Sequence, residues 1–373
     1  MHSRDRVLAT FHGEPVDRFP RVEYYWAETL KKWRSQGLPT VDRDEVQYLL
    51  GHDLIYFFFD PRFGFEEKVL DEDEEYRVVY TVDGVTLRVP KDCENTIVKS
   101  DVAGIPVDYT IKGRREWEAH KDSYSSGEWR LYKQFPISGN WLGGNRSIDD
   151  YAGKYDRACR NDKFKCLVFR EPYEAVREFV GTDRMLLLMA EDPALVKEMF
   201  AHNLRITLEM IDILEALGMR MDGYWVWGDI AYNKGMFFSP DMYRDLLMPV
   251  HRQLFDRLNQ YVIYHTDGNL DTCLPLLVEA GIKGINPIEI KAGNDFFGLA
   301  DSFGDRIVLC GGIDVVVLST NDMERIHEEV WTKLTYMRGK RYILHSDHSI
   351  PYDVDLRTYR KVIEWSEQYG SKS

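Results

Sequence analysis

The stretch YVIYHTDGNLDTCLPLLVEAGIKGINPIE, residues 261–289, carries the reading of the fold. An apolar run of strand length ends in His265 and Asp267. The segment LDTCLPLLVEAG then repeats apolar residues at helical spacing and stops at Gly281, a residue suited to a helix C-terminus. A second run, KGINPIE, ends in Glu289. Strand, helix and strand in this order make one parallel unit, because parallel neighbours need a crossover.

The same alternation continues on both sides. GYWVWGD (223–229) is followed by a helical stretch with Ser239 as N-cap and Pro240 at its first position. RIVLCGGID (306–314) leads into DMERIHEEVWTKLTYM, and RYILHSD (341–347) into LRTYRKVIEWSEQYG. FPRVEYYW, DLIYFFFD and KCLVFRE supply three further strand-length runs, bringing the candidates to eight. Eight strands alternating with helices predict an α/β fold, a (β/α)8 TIM barrel. An open doubly wound sheet is the alternative, but no GxGxxG follows any strand.

Two segments interrupt the pattern within a single domain spanning 1–373. EYRVVYTVDGVTLRVP flanks Asp83-Gly84, a strong turn dipeptide, and predicts an inserted β-hairpin within about 65–100. Residues 122–163 read as an irregular insertion, and both are expected at the barrel mouth. The acidic run 71–75 reads as a solvated turn.

Bulk properties narrow the function. The 373 residues carry a net charge of -14, with 44% hydrophobic and 29% charged residues. Such a chain folds around a sizeable core and lacks the basic surface that nucleic acid requires. No run reaches the roughly 20 apolar residues of a membrane span. The five cysteines form no CxxC pair, and the N-terminus has no apolar signal core, so a cytoplasmic protein is expected. In that compartment the Asn145-Arg-Ser sequon reads as chance.

Barrel enzymes place their chemistry at the C-terminal ends of strands. Here those ends carry His265, Asp267, Glu289 and His348. Two imidazoles and two carboxylates converging there can hold a divalent metal, with a metal-free polar network as the alternative. Asp60 closes DLIYFFFD and is either a site residue or a turn residue before Pro61. Asp229 closes GYWVWGD, as an acid/base or as a cap. Period-two alternation places His345 and Asp347 away from the side of His348. The aromatics of the strands are mostly core, yet some must line the lumen; Tyr224 and Trp225 are candidates to stack on a planar substrate. Gly311 and Gly312 read as points of close backbone packing.

With these segments aligned, the chain resembles the uroporphyrinogen decarboxylase superfamily, which includes cobalamin-dependent methyltransferases. RVLATFHGEPVDRFP (6–20), FEEKVLDEDEEYRVVYTVDG (65–84), HTDGNLDTCLPLLVEAGIKGINPIE (265–289), RIVLCGGID and ILHSDHSIPYDVD (343–355) carry the resemblance. It covers nearly the whole chain and implies one (β/α)8 barrel. The decarboxylase carries an Arg-Gln-Ala-Gly-Arg-Tyr run after its first strand, whose arginines grip substrate carboxylates. RVEYYWAETLKKW (21–33) has Arg21 before the strand and no arginine after it, so a polycarboxylate would lose its charge-assisted forks. Asp60 falls where that enzyme keeps its pyrrole-binding aspartate, and His348 near its C-terminal histidine.

The methyltransferase branch uses His-x-Cys on one strand, in some members a Glu from the next, and a Cys from the last strand to bind zinc. Here His265-x-Asp267 replaces the pair, Glu289 follows, and His348 stands at the last position. Exchanging thiolates for Asp and His hardens such a site toward an oxygen ligand. The resemblance therefore implies a methyltransferase that moves a methyl group from a small methyl ether, for example a methoxylated aromatic, to the cobalt of a corrinoid. Asp60, Asp229 and His348 would serve catalysis. No Asp-x-His-x-x-Gly signature occurs, so cobalamin would be borrowed from a partner corrinoid protein. The resemblance also admits a homodimer. A porphyrinogen decarboxylase and a barrel that only binds a corrinoid or porphyrin are the two alternatives.

Overall fold

The computed structural model describes residues 1–59, 61–91, 104–124, 148–258 and 261–370. In chain order the strands are β1 (Leu54–Phe58), β2 (Lys68–Glu72), β3 (Tyr76–Tyr80), β4 (Val85–Pro90), β5 (Ile105–Tyr109), β6 (Phe164–Arg170), β7 (Gly223–Trp227), β8 (Ala231–Tyr232), β9 (Gly235–Met236), β10 (Tyr261–His265), β11 (Gly284–Asn286), β12 (Val308–Cys310) and β13 (Tyr342–Ile343). Seven of them form one parallel sheet in the order β1-β6-β7-β10-β11-β12-β13. Helices intervene between these strands, as the right-handed crossover of parallel neighbours demands.

The eighth expected strand, FPRVEYYW, closes the curl without becoming a regular strand. Arg21 bridges Leu344 and Tyr25 bridges Ile350, both parallel. On the other side the Asp53 amide donates to the Arg21 carbonyl at 2.9 Å. Pro20 removes one donor from this segment, which favours isolated bridges over a continuous ladder. Asp53 is the pin of this seam. Its fully buried carboxylate accepts from Arg6 at 2.6 Å, from Arg18 at 2.7 Å and from the Arg21 amide at 2.9 Å. One side chain thus ties the first helix, the closing segment and β1 together.

The core has two layers because strand residues alternate. Leu54, Tyr56, Val168, Trp225, Ile263, Val308 and Ile343 share the barrel interior with Val7 and Phe11 of helix Ser3–His12, which plugs the floor. Ile55, Phe57, Leu167, Tyr224 and Val262 face the helices. This alternation separates two sequence candidates: Trp225 points into the lumen, whereas its neighbour Tyr224 packs against Phe169 in the helical layer.

Strands β2–β5 form a separate antiparallel sheet. Within it β3 and β4 pair around the turn at Asp83-Gly84, Tyr80 opposite Thr86, and the sheet runs on to Tyr109. Most of the 122–163 excursion, including Asn145, lies outside the described residues. Its end, Ile148–Arg160, is a helix rather than irregular chain. Tyr151, Ala152, Tyr155 and Ala158 recur at helical spacing there, behind a polar face that masks the period. No described helix is long and apolar enough to cross a membrane.

Candidate functional site

A cavity of about 180 Å³ opens at the C-terminal ends of the barrel strands. Its walls are aromatic: Trp26, Tyr56, Phe58, Trp225 and Trp227. Its polar groups include Asp229, His265, Asp267, Asn286, His345 and His348, and among the described residues no Lys, Arg or Cys lines it. Asp60 lies outside the described residues.

Each polar group is placed by a strand end. His265 is the last residue of β10 and stands edge-on to Trp227, the last residue of β7. Two residues beyond each strand come Asp267 and Asp229, and the Asp267 amide donates to Asp229 Oδ1 at 3.1 Å. His265 Nε2 is 3.9 Å from Asp229 Oδ1 and 3.9 Å from Asp267 Oδ1. One ligand atom from each of the three residues falls within 4.8 Å of the others.

A hydrogen-bond chain fixes the imidazole in this cluster. The Asn286 amide Nδ2 donates to the Cys310 carbonyl at 3.1 Å, which turns its Oδ1 toward His265 Nδ1 at 2.7 Å. An amide oxygen only accepts, so His265 Nδ1 carries the hydrogen. In the neutral ring Nε2 then keeps a lone pair directed between the two carboxylates. An outer partner that sets the tautomer in this way is a recurrent companion of metal-binding histidines. Asp267 Oδ1 supplies the complementary observation. It is buried and has no hydrogen-bond partner among the described residues, a costly condition for a carboxylate oxygen unless a cation completes it. The three side chains therefore fit a divalent metal, with oxygen and imidazole donors that suit zinc among other hard to borderline ions. Burial, followed by the charge of Asp267, pushes the Asp229 carboxyl above the usual carboxylate range. Asn286→Leu is expected to lower metal affinity about 10–100-fold while the fold persists, measured by competition with a chromogenic chelator.

The other members of the expected set sit differently. Glu289 is buried behind the cavity, where Oε2 accepts the Gly268 amide at 2.7 Å and Oε1 lies 3.2 Å from Lys291. Gly268 has φ +96°, and a Cβ there would come within 2.6 Å of the Tyr232 backbone, so only glycine lets this loop lie where Glu289 holds it. His348 does line the cavity, edge-on to Trp26 at 5.8 Å. His345 lines it as well. Alternation predicted opposite sides for these two histidines, but β13 ends at Ile343 and the chain beyond it no longer follows a strand period. Asp347 is turned away, accepting the Val315 and Ile290 amides at 2.8 and 3.0 Å. Gly311 packs as expected: with φ +128°, a Cβ would meet the Ile288 nitrogen at 2.7 Å.

Sequence reasoning passed over Glu23, which is buried beside the cavity wall. Its Oε2 accepts from the Ser346 amide at 3.0 Å and hydroxyl at 2.8 Å, and Oε1 is 3.2 Å from His345 Nε2. His345 Nδ1 faces the Ser346 carbonyl at 2.6 Å and must carry a hydrogen there. If the ring is neutral, Nε2 accepts, and Glu23 is the protonated partner that donates. Electrostatics agree, since burial drives Glu23 up to about 8 and His345 down to about 4. The sign for stability follows. A carboxyl whose folded pKa is raised stabilises below its unfolded value, about 4.3, and that contribution fades as pH rises toward 8. Relative to Glu23→Gln, the native chain should therefore lose stability between about pH 4.5 and 8; denaturant midpoints with parallel pH dependence would contradict this.

The uroporphyrinogen decarboxylase (URO-D) family model matches residues 172–369, just over half of the chain and all strands from β7 onward. The chain belongs to the uroporphyrinogen decarboxylase family. A search of curated sequences returns no match. Among solved structures, a methyltransferase from Methanosarcina mazei superposes with a TM-score of 0.67 at 14% identity, covering 99% of this chain and 98% of that one. At that identity the likeness is one of fold. A B12-independent methionine synthase from a Shewanella species (TM-score 0.37, 12% identity, 87% and 83% covered) and a putative one from Listeria monocytogenes (0.44, 10%, 95% and 97%) superpose too loosely to carry any argument.

Within this URO-D family member, the arginine nearest the expected carboxylate grip is already engaged. Arg21 pairs with Glu367 at 2.9 Å and donates to the Gly51 carbonyl, facing away from the cavity. Among the described residues, a polycarboxylate entering the cavity meets carboxylates and imidazoles and no guanidinium.

Proposed function

We propose that this protein is a methyltransferase that takes a methyl group from a small methyl ether, such as a methoxylated aromatic, and delivers it to the cobalt of a corrinoid carried by a partner protein. The observation that supports this reading most is the unpartnered Asp267 Oδ1 beside the lone pair of His265 Nε2, at the mouth of an aromatic cavity. Asp229, His265 and Asp267 would hold a divalent cation, zinc in the first instance, which supplies Lewis acidity to an ether oxygen. A corrinoid borrowed from a partner would supply the nucleophile; a cavity of about 180 Å³ suits a small substrate and is too small to enclose a corrin.

The chain's own residues then divide the work. Trp225, Trp227 and Tyr56 receive a flat, neutral ring, since burial of its faces is favourable and the described lining offers no Lys or Arg to pair with an acid. His348 presents an imidazole to the same space and can give a proton to the leaving oxygen as the carbon–oxygen bond breaks. Glu23, holding a proton against His345 Nε2, supports a second proton store at the wall. Glu289 acts from behind by shaping the loop that carries Asp267. The test is turnover of a panel of methyl ethers by the purified protein with a reduced corrinoid protein, followed by product detection. Absence of demethylation across the panel, with uroporphyrinogen decarboxylated instead, would return the assignment to the other branch of the family.

A further inference from the structure

The opposite end of the barrel carries a second concavity that the reading above does not use. An open groove of about 1040 Å³ runs between the floor of the barrel and helix Ser3–His12. Its chemistry reverses the sign of the whole molecule. Lys283, Arg306 and Arg341 stand just ahead of β11, β12 and β13, so three adjacent strands deliver three cations at one level of the barrel. Arg220 joins them from ahead of β7. Among the described residues none of these four forms an ion pair with a carboxylate; Arg341 reaches only the Arg306 carbonyl, at 3.2 Å. Among the described residues two carboxylates share this lining: Asp222 is already held by Arg4 at 2.8 Å and Lys165 at 2.6 Å, and Asp256 leaves the groove net positive.

A chain with net charge -14 has ample carboxylates to neutralise such a cluster. Four unpaired cations facing one groove instead repel each other and raise the local potential for an anion. The groove also has apolar wall area, from Phe11, Tyr155, Phe255 and Tyr261. Phe11 and Tyr261 lie 4.9 Å apart at its edge, and Tyr261 is further anchored by His12 at 2.8 Å. Guanidinium forks suit phosphate oxygens in pairs, an ammonium adds a point charge, and aromatic faces accept a planar ring.

We propose that this basic floor is a binding site for a phosphorylated small molecule of nucleotide size, held by Lys283, Arg306 and Arg341 through its phosphates and by the aromatic wall through its ring. Because the groove lies between the barrel and its N-terminal helix, the ligand also fastens that helix to the floor.

The experiment is calorimetric titration of the purified protein with sodium tripolyphosphate, with ATP and with polyglutamate, each against sodium sulfate at matched ionic strength, together with melting curves. Tripolyphosphate and ATP should bind saturably, ATP more tightly, and raise the melting temperature in proportion to the logarithm of concentration. The variant K283A/R306A should weaken both at least about tenfold. Both side chains are solvent-exposed, so folding should be untouched, and an R306K variant that keeps the charge should retain most tripolyphosphate binding while losing the fork. No saturable binding of either phosphate, or equal affinity in the double variant, would overturn the proposal. Binding of polyglutamate alone would overturn it too, assigning the groove to an acidic protein segment.

Discussion

His265→Ala and Asp267→Ala are each expected to lower demethylation by at least about a hundredfold and to remove bound metal, while leaving the melting temperature within a few degrees of native. The expectation rests on geometry. His265 is the one nitrogen donor of the three-residue cluster, and its Nε2 is aimed by the Asn286 contact at 2.7 Å. Asp267 offers an oxygen that has no other partner among the described residues. Removing either leaves two donors, and a site of two loses most of its affinity together with the charge stabilisation that it supplies. Stability should move little, because Asp267→Ala deletes an unsatisfied buried oxygen rather than an interaction. Asn286→Leu, which frees the ring and also releases the Cys310 carbonyl, should fall between native and His265→Ala in metal affinity. A ranking in which Asn286→Leu matches native metal affinity would separate the ring's orientation from its function.

The largest effect on folding is expected from Asp53→Ala. This fully buried carboxylate neutralises Arg6 and Arg18 and accepts the Arg21 amide at the barrel seam. Its loss leaves Arg18 without its carboxylate and Arg6, itself almost entirely buried, with Asp17 alone. Breaking one side of a buried network costs about 3–5 kcal/mol, a third or more of the stability of an ordinary protein. Burial alone would raise the Asp53 carboxyl, but Arg18 and Arg6 outweigh it and the group lies below the usual carboxylate range. Its contribution is therefore complete above the unfolded pKa near 3.9 and is lost as pH falls through the lower folded value. Denaturant titrations of the native chain and Asp53→Ala should differ most at neutral pH and converge in acid. Arg6 also donates to Asp17 Oδ1 at 2.7 Å, and Asp53→Asn, which keeps an acceptor for the Arg21 amide, should cost less than Asp53→Ala.

Strand-and-helix alternation after residue 222 was enough to foresee the barrel, because parallel neighbours need a crossover and the period changes visibly between 2 and 3.6. The eighth strand was legible as an apolar run but not as an irregular one, since Pro20 and the loss of ladder pairing at a seam depend on tertiary closure. Helix 148–160 was hidden by its charged face. For the site, strand ends were a sound guide to height along the barrel and a poor one to direction. His265, Asp267, Asp229 and His348 all occupy the mouth, while Glu289, at an equally plausible strand end, faces the loop behind it. Asp229 entered the sequence reading as an even choice between catalyst and cap, because nothing in GYWVWGD shows that β7 and β10 are neighbours. Once Val262 stands opposite Tyr224 in register, the ends of the two strands bring their aspartates together. Trp225 and Tyr224 illustrate the same point within one strand: composition offered both, and alternation sends only one inward. Asn286 and Glu23 carried a readable signal, a polar residue closing or interrupting an apolar run. The function of each depends on a partner 21 or 323 residues away.

Asp229, His265 and Asp267 are proposed to form a metal centre that serves methyl transfer. The most direct measurement is zinc titration of chelator-treated protein by calorimetry, on the native chain and on Asp229→Ala, His265→Ala and Asp267→Ala, with demethylation assayed on the same samples. About one ion per native chain is expected, with that binding lost in all three variants and activity returning with zinc only in the native protein. Full methyl transfer by the metal-stripped native chain, or undiminished zinc binding in the three variants, would contradict it.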